Sequence, residues 1–494
     1  MWKSAKMRGI MAEVYGFGFP PYARNPRQEI TPVMTFSRCR LTKYFLNLLL
    51  AVLSLTLFAS AEGKEKVLYS FQGGTNDGEY PAGGVVFDKA GNLYGATTDG
   101  GGECPPAQCG IVFQLSPPAK NGDPWTETVL HIFKGNASGD GNTPVGSVII
   151  DTAGNLYGTT GYGGTGNCVL LGDKVGCGTV YELSPPTQKG GAWTETVLYS
   201  FPTPKQGYLP NGNLVFDKAG NLYGATMFGG GYGTTCDPYY QYCGTAFELS
   251  PPKKQGGAWT EKLLHGFRGG TDGANPNGGL VFDGKGAIYG TTYSGGSQNC
   301  KYESEIGCGV TFELRPPTKK GENWSEKVLY RFDRTNSDGG NPMSGLVYGT
   351  NGRLYGTTLN GGPEGGGIAF CLTPPHKESE PWSEKVLHGF GDNVFGYDLE
   401  GPLVFDASGN LYGAANTGSG SAAYGNVFQL KPNRTGDKWG LGVVYDFAGV
   451  PDGGNPAAGL IFDGSRILYG TTQSGGSGTD CGSRGCGTVF QVSP

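Results

Sequence analysis

Glu65-Lys66-Val67-Leu68-Tyr69-Ser70-Phe71 reads as a single β-strand, and it returns later in the chain as Glu326-Lys327-Val328-Leu329-Tyr330-Arg331-Phe332. Five more copies of the apolar part begin at Val129, Val197, Leu263, Val386 and Val443. Successive starts from Val67 therefore lie 62, 68, 66, 65, 58 and 57 residues apart. A period near sixty is longer than one coil of a solenoid and fits one small sheet per repeat.

Each repeat holds four such phrases. In the fourth they are Gly-Leu-Val-Phe-Asp (279–283), Ala-Ile-Tyr-Gly-Thr-Thr (287–292), Gly-Val-Thr-Phe-Glu-Leu (309–314) and Trp-Ser-Glu-Lys-Val-Leu-Tyr-Arg-Phe (324–332). All are short, rich in β-branched and aromatic residues, and bounded by Gly, Asp, Asn or Pro, as strands are. No stretch of the repeats shows a helical apolar period. Asp88-Lys89-Ala90-Gly91-Asn92 and its relatives supply tight hairpin chemistry between the first two strands. The pairs Pro117-Pro118, Pro185-Pro186, Pro251-Pro252, Pro316-Pro317 and Pro374-Pro375 end the third, because proline cannot donate to a ladder. The unit is a four-stranded antiparallel meander, with strands a to d in chain order.

The chain ends decide the architecture. The last repeat supplies strands a, b and c at 459–463, 467–472 and 487–492, then stops at Ser493-Pro494 without a fourth strand. The spare copy is 65–71. Trp125, Trp193, Trp259, Trp324, Trp382 and Trp439 mark strand d in six repeats, and Gly63 holds that slot in the N-terminal copy. The expected fold is all-β: a seven-bladed β-propeller of four-stranded antiparallel blades over 62–494, closed by the N-terminal strand completing the last blade. Such closure removes the open edge that would otherwise template aggregation.

These phrases, together with the Gly-Asn-Leu-Tyr-Gly-Thr-Thr and Gly-Thr-Val-Phe-Glu-Leu-Ser-Pro-Pro types, resemble the GloVer tandem-repeat family of bacterial exported proteins over about 67–494. The resemblance implies export and often a C-terminal cell-surface anchor. The sequence ends inside the last blade, so release or periplasmic residence is the expectation. The resemblance brings no catalytic motif.

Composition agrees with a turn-rich, exported fold. Of 494 residues, 91 are glycine and 12% are aromatic, which favours many turns over disorder. A net charge of −5 gives no basic surface for nucleic acid. Arg38, Arg40 and Lys43 precede an apolar run over 44–58 and then Ala59-Ser60-Ala61, the layout of a secretory signal peptide cut after Ala61. The signal is assigned to 34–61, with translation starting at Met34 and 1–33 a mis-called upstream extension. The run is too short for a comfortable membrane span, so a secreted or periplasmic monomer with no membrane span in the mature chain is expected.

Ten of the 12 cysteines form local pairs in the loops between strands b and c: Cys104/Cys109, Cys168/Cys177, Cys236/Cys243, Cys300/Cys308 and Cys481/Cys486. The gaps vary and no histidine is near, which favours disulfides over zinc. Cys371 stands alone in strand c. His131, His265 and His388 share a strand-d slot with Tyr69, Tyr199, Tyr330 and Tyr445, which reads as packing. The Asp-Gly turns need no calcium, so neither metal nor cofactor is expected.

In a four-stranded meander the b–c and d–a loops share one face, where function is expected. A disulfide-held loop there carries Tyr232, Tyr239, Tyr240 and Tyr242, rigid amphipathic contact area suited to a glycan or protein partner. The leading expectation is a non-enzymatic binding or scaffold protein. The alternatives are a propeller enzyme acting on polysaccharide through Asp398 and Glu400, and a purely structural envelope protein.

Overall fold

The computed structural model describes residues 64–494, apart from 105–106, 121, 136–137, 171, 189, 231–242, 255, 298–299, 303–304, 320, 392–395 and 419–423 and the side chains of 103–108 and 301–306. The leader reading of 1–61 lies outside these residues. Seven antiparallel sheets succeed one another, each a meander a-b-c-d, and together they form the seven blades of a β-propeller. Blade 2 is representative, with strands Gly141–Ile150, Leu156–Gly163, Thr179–Ser184 and Thr194–Ser200. The d strands of blades 1, 3, 4, 5 and 6 are Thr126–Ile132, Thr260–Gly266, Ser325–Arg331, Ser383–Gly389 and Trp439–Asp446.

Blade 7 is completed from the other end of the chain. Its strands Ile461–Phe462, Leu468–Thr472 and Thr488–Ser493 are joined by Lys64–Ser70. The register is antiparallel, from Lys64 opposite Ser493 to Ser70 opposite Thr488, with a bulge between Val67 and Tyr69. The same bulge interrupts the c–d ladder of the other six blades. It breaks the strict two-residue alternation, so that Leu68 and Phe71 are both buried in the Val-Leu-Tyr-Ser-Phe phrase. The N-terminal strand thus has the geometry of a d strand that follows its blade covalently.

Aromatic contacts tie each blade to the next. The phenylalanine ending strand d meets the ring of strand c in the following blade: Phe133 on Tyr181, Phe201 on Phe247, Phe267 on Phe312, Phe332 on Phe370, Phe390 on Phe428 and Phe447 on Phe490. Phe71 on Phe113, 5.0 Å between centroids, closes the ring of contacts at blades 7 and 1. Edge-on geometry at this distance is the favoured arrangement for aromatic pairs.

The inner strands a touch backbone to backbone. A Cβ on Gly83 would fall 2.1 Å from the Gly146 carbonyl oxygen, and one on Gly278 would fall 2.3 Å from that of Ser344. Only glycine permits this approach. Each strand a is entered through one residue in the left-handed region: Tyr80, Thr143, Leu209, Asn275, Asn341, Asp398 and Asn455, all with φ between 54 and 61°. Asparagine tolerates this conformation and β-branched threonine does not. Asn275, Asn341 and Asn455 also donate through Nδ2 to a backbone carbonyl of the preceding blade (Met227, Tyr293 and Asn416).

Two outcomes follow. Phe71→Ala, which opens a void at the closing junction, lowers stability by about 3–5 kcal/mol, measured by urea unfolding; an unchanged midpoint would show that closure does not limit the fold. Thr143→Asn raises stability by about 1 kcal/mol, read as a higher melting temperature.

Candidate functional site

The b–c and d–a loops share one face, as the meander requires. In six of the seven d–a connections the left-handed residue donates its N–H to the carbonyl at the root of the preceding b–c loop. Examples are Tyr80 to Cys486 (2.9 Å), Thr143 to Cys109 (3.1 Å), Asn275 to Cys243 (2.6 Å) and Asn341 to Cys308 (2.7 Å). Those acceptors belong to the paired cysteines. Disulfides join Cys168 to Cys177, Cys300 to Cys308 and Cys481 to Cys486, closing loops with sequence separations of 9, 8 and 5. Each is worth about 2–3 kcal/mol in the chain-entropy account. Cys109 and Cys243 are also disulfide-bonded; Cys236 and the Cys104 side chain lie outside the described residues. Cys371 is free and buried, and burial pushes its thiol pKa up. Tyr232, Tyr239, Tyr240 and Tyr242 lie outside the described residues.

At the axis the repeat is broken. Two residues beyond the left-handed position, the seven blades carry Ala82, Val145, Asn211, Asn277, Met343, Glu400 and Ala457. Two of these side chains meet: Asn211 Nδ2 donates to Asn277 Oδ1 across the junction of blades 3 and 4. The three polar residues stand in a position that is apolar in the other four blades. Burial, and then the charge of Asp398, push the Glu400 carboxyl up to about 8, against a hydrogen bond from Asn416. Asp398 holds the left-handed position of its blade, and its Oδ2 accepts a bond from Thr417 Oγ1 at 3.0 Å. Asp398 and Glu400 lie two residues apart, ahead of the inner strand Val404–Phe405, and burial with the Asp398 charge favours the protonated form of Glu400. Asn211 and Asn277 carry the same location and were passed over in the sequence, although superposing the seven repeats would have shown them.

A second set of polar groups lies at the outer rim, between adjacent d strands. The Tyr/His slot of strand d packs, each ring lying edge-on to the phenylalanine two residues on, and at several junctions it also forms a polar contact. Tyr69 Oη donates to Asp77 Oδ2 (2.9 Å), Tyr445 Oη to Asp452 Oδ2 (3.0 Å), and His131 and His265 Nε2 lie 3.1 and 3.3 Å from Asp140 and Asp272 Oδ2. What tyrosine and histidine share here is a polar hydrogen of the same reach, aimed at a d–a loop aspartate. The glutamate of the next blade's Trp-x-Glu phrase faces the same aspartate. Glu65, Glu127, Glu195, Glu261, Glu326 and Glu384 each have a buried Oε1 with no hydrogen-bond partner in the protein. The seventh position is Leu441, and the His388 opposite it has a buried, unpartnered Nε2.

The chain matches the model of the Gloeobacter/Verrucomicrobia repeat over 54–231 and 170–394. It belongs to that repeat family. Among solved structures, this repeat-family propeller is similar to a candidate 6-phosphogluconolactonase from Bacteroides uniformis (12% identity, 73% of this chain and 84% of that one, TM-score 0.42). It is also similar to a protein of unknown function from Dyadobacter fermentans (11%, 87% and 98%, TM-score 0.39). A third is a candidate oxidoreductase (glucose dehydrogenase) from Thermus thermophilus (13%, 87% and 99%, TM-score 0.37). No curated protein matches the chain in sequence. Among the described residues, no helix is long and apolar enough to cross a membrane.

The rim carboxyls set a pH dependence. Burial, and then the charges of Asp452, Asp77 and Asp338, push Glu65 and Glu127 up to about 7 and Glu384 up to about 8. The folded chain holds these protons more tightly than the unfolded chain does. Their contribution is therefore complete below the ordinary glutamate pKa of 4.5 and is lost as pH rises through 7–8. The urea midpoint is expected to fall between pH 5 and pH 8, and the E65Q/E127Q/E384Q variant to flatten that slope. A pH-independent wild-type midpoint would contradict this assignment.

Proposed function

We propose that this chain is an exported binding protein that takes a sugar unit of a glycan at the mouth of its axis, without transforming it. One observation carries the reading. At seven equivalent inner positions the repeat elsewhere holds Ala82, Val145, Met343 and Ala457, and departs from apolar character only at Asn211, Asn277 and Glu400. Amides and a protonated carboxyl pair with hydroxyl groups as donors and acceptors, while the apolar positions suit the C–H faces of a sugar ring. A concave site with a few convergent polar groups among apolar ones is the usual form of a small-molecule site. Export is supported by the leader-like 34–61 and by the disulfides, which persist in oxidising compartments.

Glycan-array screening followed by calorimetry tests this reading. Asn277→Ala and Glu400→Gln are each expected to weaken binding roughly tenfold or more, the worth of a buried hydrogen-bonding group. Tight binding that survives both changes would remove the ligand from the axis. A second reading draws on the Glu400 carboxyl raised to about 8 beside Asp398, a proton donor at neutral pH of the kind glycosidic cleavage uses. In that case reducing ends would be released from polysaccharide and would disappear in Glu400→Gln.

A further inference from the structure

We propose that two rim junctions are binding sites for a divalent transition metal of the zinc class: His131, Asp140 and Glu195 between blades 1 and 2, and His265, Asp272 and Glu326 between blades 3 and 4. In each triad one ring nitrogen and two carboxylate oxygens lie within 4.8 Å of one another. The His–Asp separations of 3.1 and 3.3 Å match the roughly 3.3 Å between two ligands of a tetrahedral ion with bonds of about 2.0–2.1 Å. The third ligand is waiting: Glu195 Oε1 and Glu326 Oε1 are shut away from water and bonded to nothing in the protein. Backbone N–H groups orient the aspartates, as outer partners of metal ligands do. Asp140 accepts from Gly141 at Oδ1 (2.6 Å) and from Lys134 at Oδ2 (3.0 Å), and Asp272 Oδ2 accepts from Arg268 N (2.8 Å).

The donor set selects the metal. One imidazole with two carboxylates suits zinc and its neighbours, whereas calcium asks for six to eight oxygens. Three protein ligands leave a fourth position. At the second site that position borders a groove of about 430 Å³ whose wall includes Asp272, Glu326, Arg268, Lys327 and Arg331. Those cations oppose a positive ion, while the first site has Lys134 as its nearby cation. The first site is therefore the tighter one. The other junctions supply internal controls: Tyr69, Tyr330 and Tyr445 offer a phenol in place of imidazole, and His388 faces Leu441.

The rival account is that histidine merely replaces tyrosine as a hydrogen-bond donor to aspartate, the glutamate sharing its proton with the same group. Tyrosine at these positions separates the two, because the chain already folds with it at equivalent places. The untagged, chelator-treated chain is titrated with zinc chloride by calorimetry and followed by thermal unfolding, with magnesium chloride as control. Two zinc ions per chain and a zinc-specific rise in melting temperature are expected. His131→Tyr should remove the tighter ion, His131→Tyr with His265→Tyr should remove both, and His388→Tyr should change nothing. The isosteric pair Glu195→Gln and Glu326→Gln should weaken zinc at least about tenfold. Absence of stoichiometric zinc uptake by the wild type, or undiminished uptake by the double tyrosine variant, would overturn the proposal and leave the triads as hydrogen-bonded ties.

Discussion

The backbone ladder between Lys64–Ser70 and Thr488–Ser493 is the constraint on which the rest depends. Each blade buries one face against each neighbour, so a linear array would leave two apolar faces and two unpaired strand edges exposed. Pairing the chain ends within one sheet removes both problems. Phe71, carried in by that strand, then meets Phe113 and completes the circuit of aromatic contacts. The bulge shared by all seven c–d ladders shows that the joint is built to the pattern of the covalent ones.

With the ring closed, the remaining freedom lies in the loops, and the structure restricts that as well. The left-handed residue entering strand a points its N–H at the foot of the preceding b–c loop in six blades. In five blades that loop carries a cysteine pair. Loop, inner strand and neighbouring blade are therefore coupled on one face. A rigid rim around a ring of inner-strand side chains is the setting in which a few substituted positions, Asn211, Asn277 and Glu400, can alter function without disturbing the scaffold.

The architecture was legible in the sequence because it is written seven times. The period, the two-residue alternation and the displaced copy at 65–71 together allow one ring. The free Cys371 and the described disulfides were legible for similar reasons, since local spacing suffices. The rim contacts were hidden because they join different repeats: Asp77 meets Glu127, and Asp338 meets Glu384. Nothing within one repeat shows what the Trp-x-Glu glutamate faces, because its neighbour belongs to the adjoining blade. Exchange of tyrosine for histidine reads as packing, and the rings do pack on the strand-d phenylalanine; the polar hydrogen that also reaches a d–a loop aspartate is what the pattern leaves out. The sequence offers Glu400 with Asp398 only as an alternative acid pair; the burial that raises its pKa is set by blade geometry and is not visible in the chain order.

The junction of blades 5 and 6 departs from the repeat pattern and is sealed mainly by apolar contact. Neither blade has a cysteine pair, Leu399 replaces the proline that follows the left-handed residue elsewhere, and Leu441 stands where the other blades hold glutamate. Leu399, fully buried, joins Phe390, Phe428 and Leu430 in one apolar cluster across this junction, so the seam keeps its hold by excluding water where its neighbours add polar bonds.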